Sequence, residues 1–257
     1  MARYGLVGHN IDYSFSRGFF NAKFKREGRP DQYENFDLSS IEQLDDFLAN
    51  QSDLKGFNVT IPYKEAIIPF LNELSSTAQE IGAVNTVVIK KDGALIGHNT
   101  DHLGFSKSLL NWGLPDHKKA MVLGTGGAAK AVNFALRELG FEILQVSRNA
   151  GSSKMSRIQS DPPQQILTYR ELTPEIMAQH LLIVNCTPLG TFPNVDQAPD
   201  VSFSAIGPQH ALYDLIYNPE LSLFLTRGKQ SGARVKNGLE MLEIQAIEAW
   251  DLWQKDL

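Results

Sequence analysis

The chain has one cysteine, Cys186, in 257 residues, so it holds neither a disulfide framework nor a cysteine-based metal site. It has no apolar run approaching the roughly 18 residues that read as a membrane-spanning helix. The opening Met1-Ala2-Arg3-Tyr4-Gly5-Leu6-Val7-Gly8 turns polar at His9, too early for the apolar core of a secretory signal. Basic blocks are missing as well. The 24 Lys and Arg and 29 Asp and Glu give a formal charge of −5, mixed along the sequence, with no aromatic-interleaved basic run for a nucleic-acid surface. The six histidines suggest no metal site: Asn99-Thr100-Asp101, between His98 and His102, reads as a strand end and helix cap and takes them off a shared helical face. These absences lead us to expect a reduced, cytoplasmic protein without metal, membrane or nucleic-acid partner.

What is present is globular: 42% apolar and 21% charged residues, enough chain for one large domain or two ordinary ones, and no internal repeat. Short β-rich runs alternate with helical patterns, which predicts an α/β protein with mostly parallel sheets. Strands are expected at Tyr4–Val7, Tyr33–Leu38 and Gly56–Ile61. Helices are expected at Arg17–Arg26 and after a Ser39 or Ser40 cap, where Ile41, Leu44, Phe47 and Leu48 form a stripe. Val84–Ile89 and Ala94–His98 flank Lys90-Lys91-Asp92-Gly93, a hairpin signal. Farther on, helix Gly104–Trp112, strand Ala120–Leu123, helix Ala128–Leu139 and strand Ile143–Ser147 follow. Strands Leu181–Asn185 and Ala211–Asp214 and a helix at Glu220–Gln230 come next, with Gly151–Pro163 the expected mobile surface stretch. Gly238–Trp253 closes the chain as a helix whose Leu239, Leu242, Ala246, Ala249 and Trp253 make one apolar stripe.

Gly124-Thr125-Gly126-Gly127-Ala128-Ala129 follows a strand and opens a helix, the context of a dinucleotide fingerprint. Gly124 permits the tight turn, Gly126 admits close backbone approach to a pyrophosphate, and Ala129 is small enough for the third glycine position. The N–H groups opening the helix then face the phosphates. Strand Ile143–Val146 ends in Ser147-Arg148-Asn149, without the acid that usually accepts from the ribose 2′-hydroxyl of NAD. Arg148 can donate two hydrogen bonds to a 2′-phosphate, so NADP is the expected dinucleotide.

In the first half, polar residues stand where core strands are usually apolar: Ser14 and Ser16, Asn58 and Thr60, Lys64 beyond Pro62-Tyr63, Asn85, and Asp101. Each alone has a plain explanation as a cap or a surface group. Together they resemble one family, the shikimate dehydrogenases. The resemblance is carried by Gly8-His9-Asn10-Ile11-Asp12-Tyr13-Ser14-Phe15-Ser16, by Gly56-Phe57-Asn58-Val59-Thr60-Ile61-Pro62-Tyr63-Lys64, by Gly82–Thr86 and by Asn99–Asp101. It continues through the glycine loop, Asn185-Cys186-Thr187-Pro188-Leu189-Gly190, Asp214-Leu215-Ile216-Tyr217-Asn218-Pro219 and Asn237–Gln245, in family order over almost the whole chain.

The resemblance implies a substrate domain of residues 1–100 with the returning helix 237–257, a Rossmann-like NADP domain of 101–236, and an active site in the cleft between them. It implies reversible NADPH-dependent reduction of 3-dehydroshikimate to shikimate, in the shikimate pathway to chorismate and aromatic amino acids. Ser14 and Ser16 would hold the substrate carboxylate. Asn58, Thr60, Asn85 and Gln245 would line the substrate site, and Tyr217 would complete it. Cofactor contacts would come from Gly124, Thr125, Gly126, Gly127, Ala128, Ser147, Arg148, Asn149, Thr187, Leu215 and Gly238. The implied assembly is a monomer or homodimer.

Hydride arrival at the C3 carbonyl creates an alkoxide that needs a proton or positive charge. A lysine, ordinarily protonated at neutral pH, supplies both, and a carboxylate in reach orients it. Proton handling is therefore assigned to Lys64 and Asp101 as a pair, its microscopic division left open. Tyr13 and Arg17 depart from the family's usual His and Pro, Asn149 from its Thr, and Thr191 from a common Met. Arg17 either strengthens anion binding or faces solvent. Two rival readings stand beside this one: an NAD-preferring quinate/shikimate dehydrogenase, opposed by Arg148 and the serine pair, and a non-catalytic sensing module, opposed by the presence of both Lys64 and Asp101.

Overall fold

The computed structural model describes residues 1–12, 14–113, 117–148 and 166–255. It divides into two compact units, Met1–Asp101 with Gln245–Leu257, and His102–Ile244.

The first unit is built on a six-stranded sheet. Its strands are β1 (Arg3–Gly8), β2 (Gln32–Asp37), β3 (Leu54–Val59), β4 (Glu73–Leu74), β5 (Thr86–Ile89) and β6 (Leu95–His98), in the order β2-β1-β3-β5-β6-β4. Helices α1 (Phe15–Arg26), α2 (Leu44–Ala49) and α3 (Ser76–Ile81) accompany it. β1 pairs parallel with β2 and β3, but β5 runs antiparallel to both β3 and β6, so this sheet is mixed. The hairpin expected at Lys90–Gly93 sets β6 antiparallel to β5: Gly93 takes φ 89°, and Lys90 N–H donates to Ala94 O at 2.9 Å.

Both faces of the sheet are covered. Tyr4, Leu6, Phe20, Phe24, Tyr33 and Val88 form a core with Ala246, Ala249, Trp250 and Trp253 of the last helix. Val7, Leu54, Phe57, Val59, Ile67 and Val87 form the core of the opposite face. Alternate residues thus go to opposite sides, as the pleat requires. Trp253 is buried against β3 and β5: its indole N–H donates to Val87 O at 3.0 Å, and a Cβ added to Gly56 would lie 2.3 Å from its Nε1.

The second unit is a parallel sheet of β7 (Lys119–Leu123), β8 (Glu142–Ser147), β9 (Ile166–Thr168), β10 (Leu182–Asn185), β11 (Ala211–Asp214) and β12 (Arg234–Lys236). Its order is β12-β11-β10-β7-β8-β9, the doubly wound arrangement in which the chain reverses direction of travel between β7 and β10. Ala120 and Val122 enter a core with Phe105, Val132, Leu136 and Met241, and Met121 and Leu123 enter the other with Met177, Phe224 and Leu225. These come from α4 (Asp101–Trp112), α5 (Gly127–Glu138), α6 (Pro174–Gln179), α7 (Leu223–Gln230) and α8 (Leu239–Lys255).

Three local expectations are corrected. Neither Ser39 nor Ser40 caps a helix N–H. Ser39 gives its N–H and hydroxyl to the Gln43 side chain, and the first turn is a 3-10 turn, Ile41–Gln43. The helix expected from Glu220 begins at Leu223, because the Ser222 hydroxyl accepts from Leu225 N–H and sets its start. Leu239 is 38% exposed rather than part of the buried stripe, whose place is taken by Met241, Gln245 and Trp250. Gly238 fixes the entry of α8: a Cβ there would stand 2.1 Å from Leu215 O, so the helix starts in backbone contact and rolls Leu239 outward. The expected mobile stretch Gly151–Pro163 lies outside the described residues.

The packing of Trp253 on Gly56 makes a prediction. Gly56→Ala is expected to lower unfolding free energy by about 1–3 kcal/mol, since a buried indole and the Val87 carbonyl leave the methyl no space. Urea unfolding at neutral pH reads it, and an unchanged midpoint would contradict the packing.

Candidate active site

In the first unit the polar residues converge on one side chain, Asn85, which is 3% exposed. Its orientation follows from a backbone donor. Thr100 N–H, which can only donate, bonds Asn85 Oδ1 at 2.6 Å, so Nδ2 faces the other way. There it lies 2.9 Å from Asp101 Oδ1, 3.0 Å from Thr100 Oγ1 and 3.2 Å from Gln245 Oε1. Two amide hydrogens serve three acceptors. The other carboxylate oxygen, Asp101 Oδ2, accepts from Lys64 Nζ at 2.6 Å. Asp101 is thus gripped on one oxygen by an amide and on the other by an ammonium, with Lys64 more exposed than Asp101.

Each backbone segment has its own reason for this placement. Lys64 follows the turn that ends β3, where Tyr63 N–H bonds Thr60 O at 2.9 Å and Lys64 O accepts from Val84 N–H at 2.7 Å. Asp101 is the first residue of α4, where the helix dipole favours a carboxylate. It was equally readable as a plain cap, but its carboxylate is committed to Lys64 and Asn85. Gln245 is buried, its Oε1 accepting from Asn85 Nδ2.

Asn58, expected among the substrate-facing groups, has both amide hydrogens committed inside the protein, to Asn85 O at 3.2 Å and Thr86 Oγ1 at 3.0 Å. Its Oδ1 accepts from Tyr33 OH at 2.8 Å. Burial pushes the Tyr33 phenol well above the usual tyrosine range. Ser14 caps α1, its hydroxyl oxygen accepting from Ser16 N–H at 3.2 Å. Thr60 sits half-buried just past β3, its methyl close to Gly8. Arg17 is exposed and donates to Asp12 O. Tyr33, Thr86 and Thr100 were not singled out in the sequence. The signal for Tyr33 was its inward position on a strand, since a buried phenol needs a hydrogen-bond partner.

In the second unit the remaining expected residues gather at the carboxyl ends of β7, β8, β10 and β11. Gly124 takes φ 114°, a conformation suited to glycine, and a Cβ there would meet Cys186 O at 3.3 Å and Thr187 Cγ2 at 3.4 Å. The glycine loop and the Cys186-Thr187 turn therefore meet at the point where the sheet reverses, the place where such sheets bind ligands. A Cβ on Gly126 would meet nothing within 4 Å, which leaves the loop's outer surface open to a close-approaching phosphate. Gly127 and Ala128 open α5, and Thr125 precedes it. Ser147 ends β8, and Arg148 follows it, exposed, with a charge felt at Tyr169. Thr187 is held by Asn185 Oδ1, to which its N–H and hydroxyl donate at 3.0 and 2.7 Å. Leu215 and Tyr217 follow β11, and Gly238 lies on the Leu215 carbonyl. Asn149 lies outside the described residues. These features fit a dinucleotide with a 2′-phosphate: a bare glycine cradle, a helix N-terminus and an exposed guanidinium one strand away.

Asp214, beneath this loop system, accepts from Asn185 Nδ2 at 3.0 Å, Ile216 N–H at 3.1 Å and Ser222 Oγ at 2.5 Å. Burial raises its carboxyl to about 7 against the pull of those donors. Among the described residues no group of His, Cys, Asp and Glu could hold a metal ion, and no helix is long and apolar enough to cross a membrane.

A doubly wound sheet with a glycine loop at its reversal, joined in one chain to a unit bearing a partly buried lysine–carboxylate pair, is the build of a dinucleotide-dependent oxidoreductase. The family model for the shikimate dehydrogenase substrate-binding domain matches residues 6–87. A shikimate dehydrogenase (NADP+) from Clostridium botulinum is 40% identical over 253 residues, covering 97% of this chain and 95% of the relative. The crystal structure of the Thermus thermophilus enzyme in complex with NADP(H) and shikimate is similar with a TM-score of 0.87 at 33% identity, over 99% of this chain and 94% of that one. A quinate dehydrogenase from Corynebacterium glutamicum in complex with NAD has a TM-score of 0.84 at 27% identity, over 99% and 94%. The chain belongs to the shikimate dehydrogenase family.

Asp214 carries a pH prediction. A carboxyl raised to about 7 from 3.8 holds its proton longer in the folded state than in the unfolded one. Its contribution to stability is therefore full below about pH 4 and lost as pH rises through 7. Between pH 5 and 8 the wild type is expected to lose about 3 kcal/mol relative to Asp214→Asn, which does not titrate. Parallel urea-unfolding profiles for the two proteins would contradict it.

Proposed function

We propose that the chain catalyses the reversible NADP-dependent interconversion of shikimate and 3-dehydroshikimate. The observation that carries this reading is the 2.6 Å contact of Lys64 with Asp101, held by Asn85, with Lys64 and Asn85 inside the substrate-domain match of residues 6–87. The glycine loop, Ser147, Arg148, Thr187, Leu215 and Gly238 would hold the dinucleotide, with Asn149 an expected contact. When bound, the nicotinamide supplies hydride in reduction and takes it in oxidation.

The chain's own residues handle the proton and the substrate. In reduction the Lys64 ammonium stands ready to neutralise the oxygen that becomes the C3 hydroxyl, and Asp101 keeps the ammonium aimed. In oxidation the same pair receives the hydroxyl proton. Two contacts on Asp101 leave it little freedom to turn, which lowers the cost of reaching the reactive geometry. Ser14 and Ser16 meet the substrate carboxylate, and Thr60, Asn85, Asp101 and Gln245 the ring hydroxyls. Asn58, with its amide hydrogens spent on Asn85 O and Thr86, serves by holding Asn85 rather than by donating to substrate.

The rival with a specific foothold is quinate oxidation with NAD, given the similarity to a quinate dehydrogenase. Arg148 and the lack of an acid after β8 speak against it. Absorbance at the reduced-nicotinamide band, with shikimate or quinate and NADP or NAD in all pairings, separates the two. Turnover is expected to be fastest with shikimate and NADP. Faster turnover with NAD would overturn the assignment from Arg148, and no turnover of shikimate would overturn the reading. Lys64→Ala is expected to lower kcat by about 100-fold or more, the usual range for proton transfer, with shikimate binding within about tenfold. A loss confined to binding would remove Lys64 from the chemistry.

A further inference from the structure

We infer that Asp37 is a positioning residue: from the end of β2 it grips the loop that leaves β1, and so fixes where Ser14 and Ser16 stand for an anionic substrate group. This rests on the proposed role of the two serines as the carboxylate site.

β1 and β2 end side by side, with Gly8 opposite Asp37 and Leu38 N–H bonding Gly8 O at 2.9 Å. Beyond Gly8 the chain turns through Asn10, which has φ 56°, the one positive φ outside glycine among the described residues. Asparagine enters this left-handed region more readily than most residues, but at a cost that its surroundings must offset. Asp37 stands across the turn. Its Oδ1 lies 3.3 Å from His9 Nδ1 and its Oδ2 accepts from Ile11 N–H at 3.2 Å, so one carboxylate holds the residues on both sides of Asn10.

From Ile11 the grip reaches the serines through bonds whose directions cannot reverse, since a backbone N–H only donates and a backbone carbonyl only accepts. Ile11 O accepts from Ser14 N–H at 3.0 Å and from Asn35 Nδ2 at 2.8 Å. Ser14 Oγ accepts from Ser16 N–H at 3.2 Å where α1 begins. Two alternate residues of β2, Asn35 and Asp37, thus hold the two backbone polar groups of Ile11, whose side chain is buried beside Tyr4, Phe20 and Tyr33. The loop also closes on Gly8. A Cβ there would stand 2.7 Å from Ile11 Cγ2 and 2.6 Å from Thr60 Cγ2, so Ile11 and Thr60 both lie against this bare glycine.

Asp37 is separable from the packing around it. Its side chain is 40% exposed, so removing it empties no core. What it contributes is a charged acceptor, whose hydrogen bonds are stronger than neutral ones. Without it the Ile11 N–H has to find water, and the turn at Asn10 is free to relax. Substrate then has to restore the serine geometry as it binds, a cost that falls on affinity rather than on the rate of the bound complex.

The test is shikimate oxidation by a set of variants. Asp37→Ala is expected to raise the shikimate KM about three- to tenfold, with kcat and the KM for NADP within about twofold. Asp37→Asn keeps an oxygen for Ile11 N–H and is expected to bring KM back to within about twofold of wild type. In a Ser14→Ala background, where the last bond of the relay is gone, Asp37→Ala is expected to change KM by less than about 1.5-fold. The same factor in both backgrounds, as a general loosening of the unit would give, would overturn the inference. So would an unchanged KM in Asp37→Ala, or no recovery in Asp37→Asn. A second measurement needs no turnover: amide hydrogen exchange in the free protein is expected to quicken about tenfold or more at Ile11 and Ser14 in Asp37→Ala, and not at Val88 in β5. Unchanged exchange at Ile11 would also overturn it. If the wild type fails to oxidise shikimate while that exchange pattern is present, the proposed reaction fails and the Asp37 grip on the loop stands.

Discussion

The first unit's chemistry depends on how one buried amide is turned. Asn85 is placed on the strand side of the site by the segment entering β5, and its flip is decided by Thr100 N–H, a donor that cannot reverse. From that single constraint the direction of Nδ2 follows, then the grip on Asp101, then the aim of Lys64. A buried amide left unpaired would cost about 1–3 kcal/mol, so the surrounding hydroxyls of Thr86 and Thr100 are as necessary to the arrangement as the residues that meet substrate. The same rule applied to Asn58, oriented by Asn85 O, sets the polarity of the bond running out to Tyr33.

The second unit solves a different problem, how to bring bare backbone to a phosphate. The answer is topological. A parallel sheet that reverses between β7 and β10 splays the two following loops, and the missing side chain at Gly124 lets them pass within contact of each other. Asp214, raised by burial and held by Asn185, Ile216 and Ser222, ties the turns beyond β10 and β11 to the sheet. Its partners also hold Thr187 through Asn185, so one buried carboxyl and one amide position the loop that lies against Gly124.

Much of this was legible in the residues. The glycine loop stood between a strand and a helix, the Asp-Gly turn marked the hairpin, and the ordered motifs pointed to the family. The elements that escaped were short: β9 and β12 are three residues each and β4 two, too brief for periodicity to register. Helix α3 was also passed over, although the Ser75 cap and the left-handed Gly82 that bound it are both visible as residue types. The antiparallel turn of the first sheet was implied by the hairpin but not carried through to the sheet's class. Within the site, Lys64 and Asp101 could be paired by resemblance, but the place of Asn58 could not be read from its spacing. An alternating strand shows which side a residue faces, not which distant carbonyl its amide will meet. Tyr33 escaped for the same reason, its partner Asn58 being distant along the chain.

The central claim is that Asn85, Asp101 and Lys64 act as one unit, with Asn85 holding the pair. The most direct test compares kcat for shikimate oxidation in Asn85→Ala made alone and made in the Lys64→Ala background. If Asn85 works through the pair, the substitution lowers kcat by about tenfold or more alone and by less than about twofold once Lys64 is gone. The same factor in both backgrounds would contradict the account.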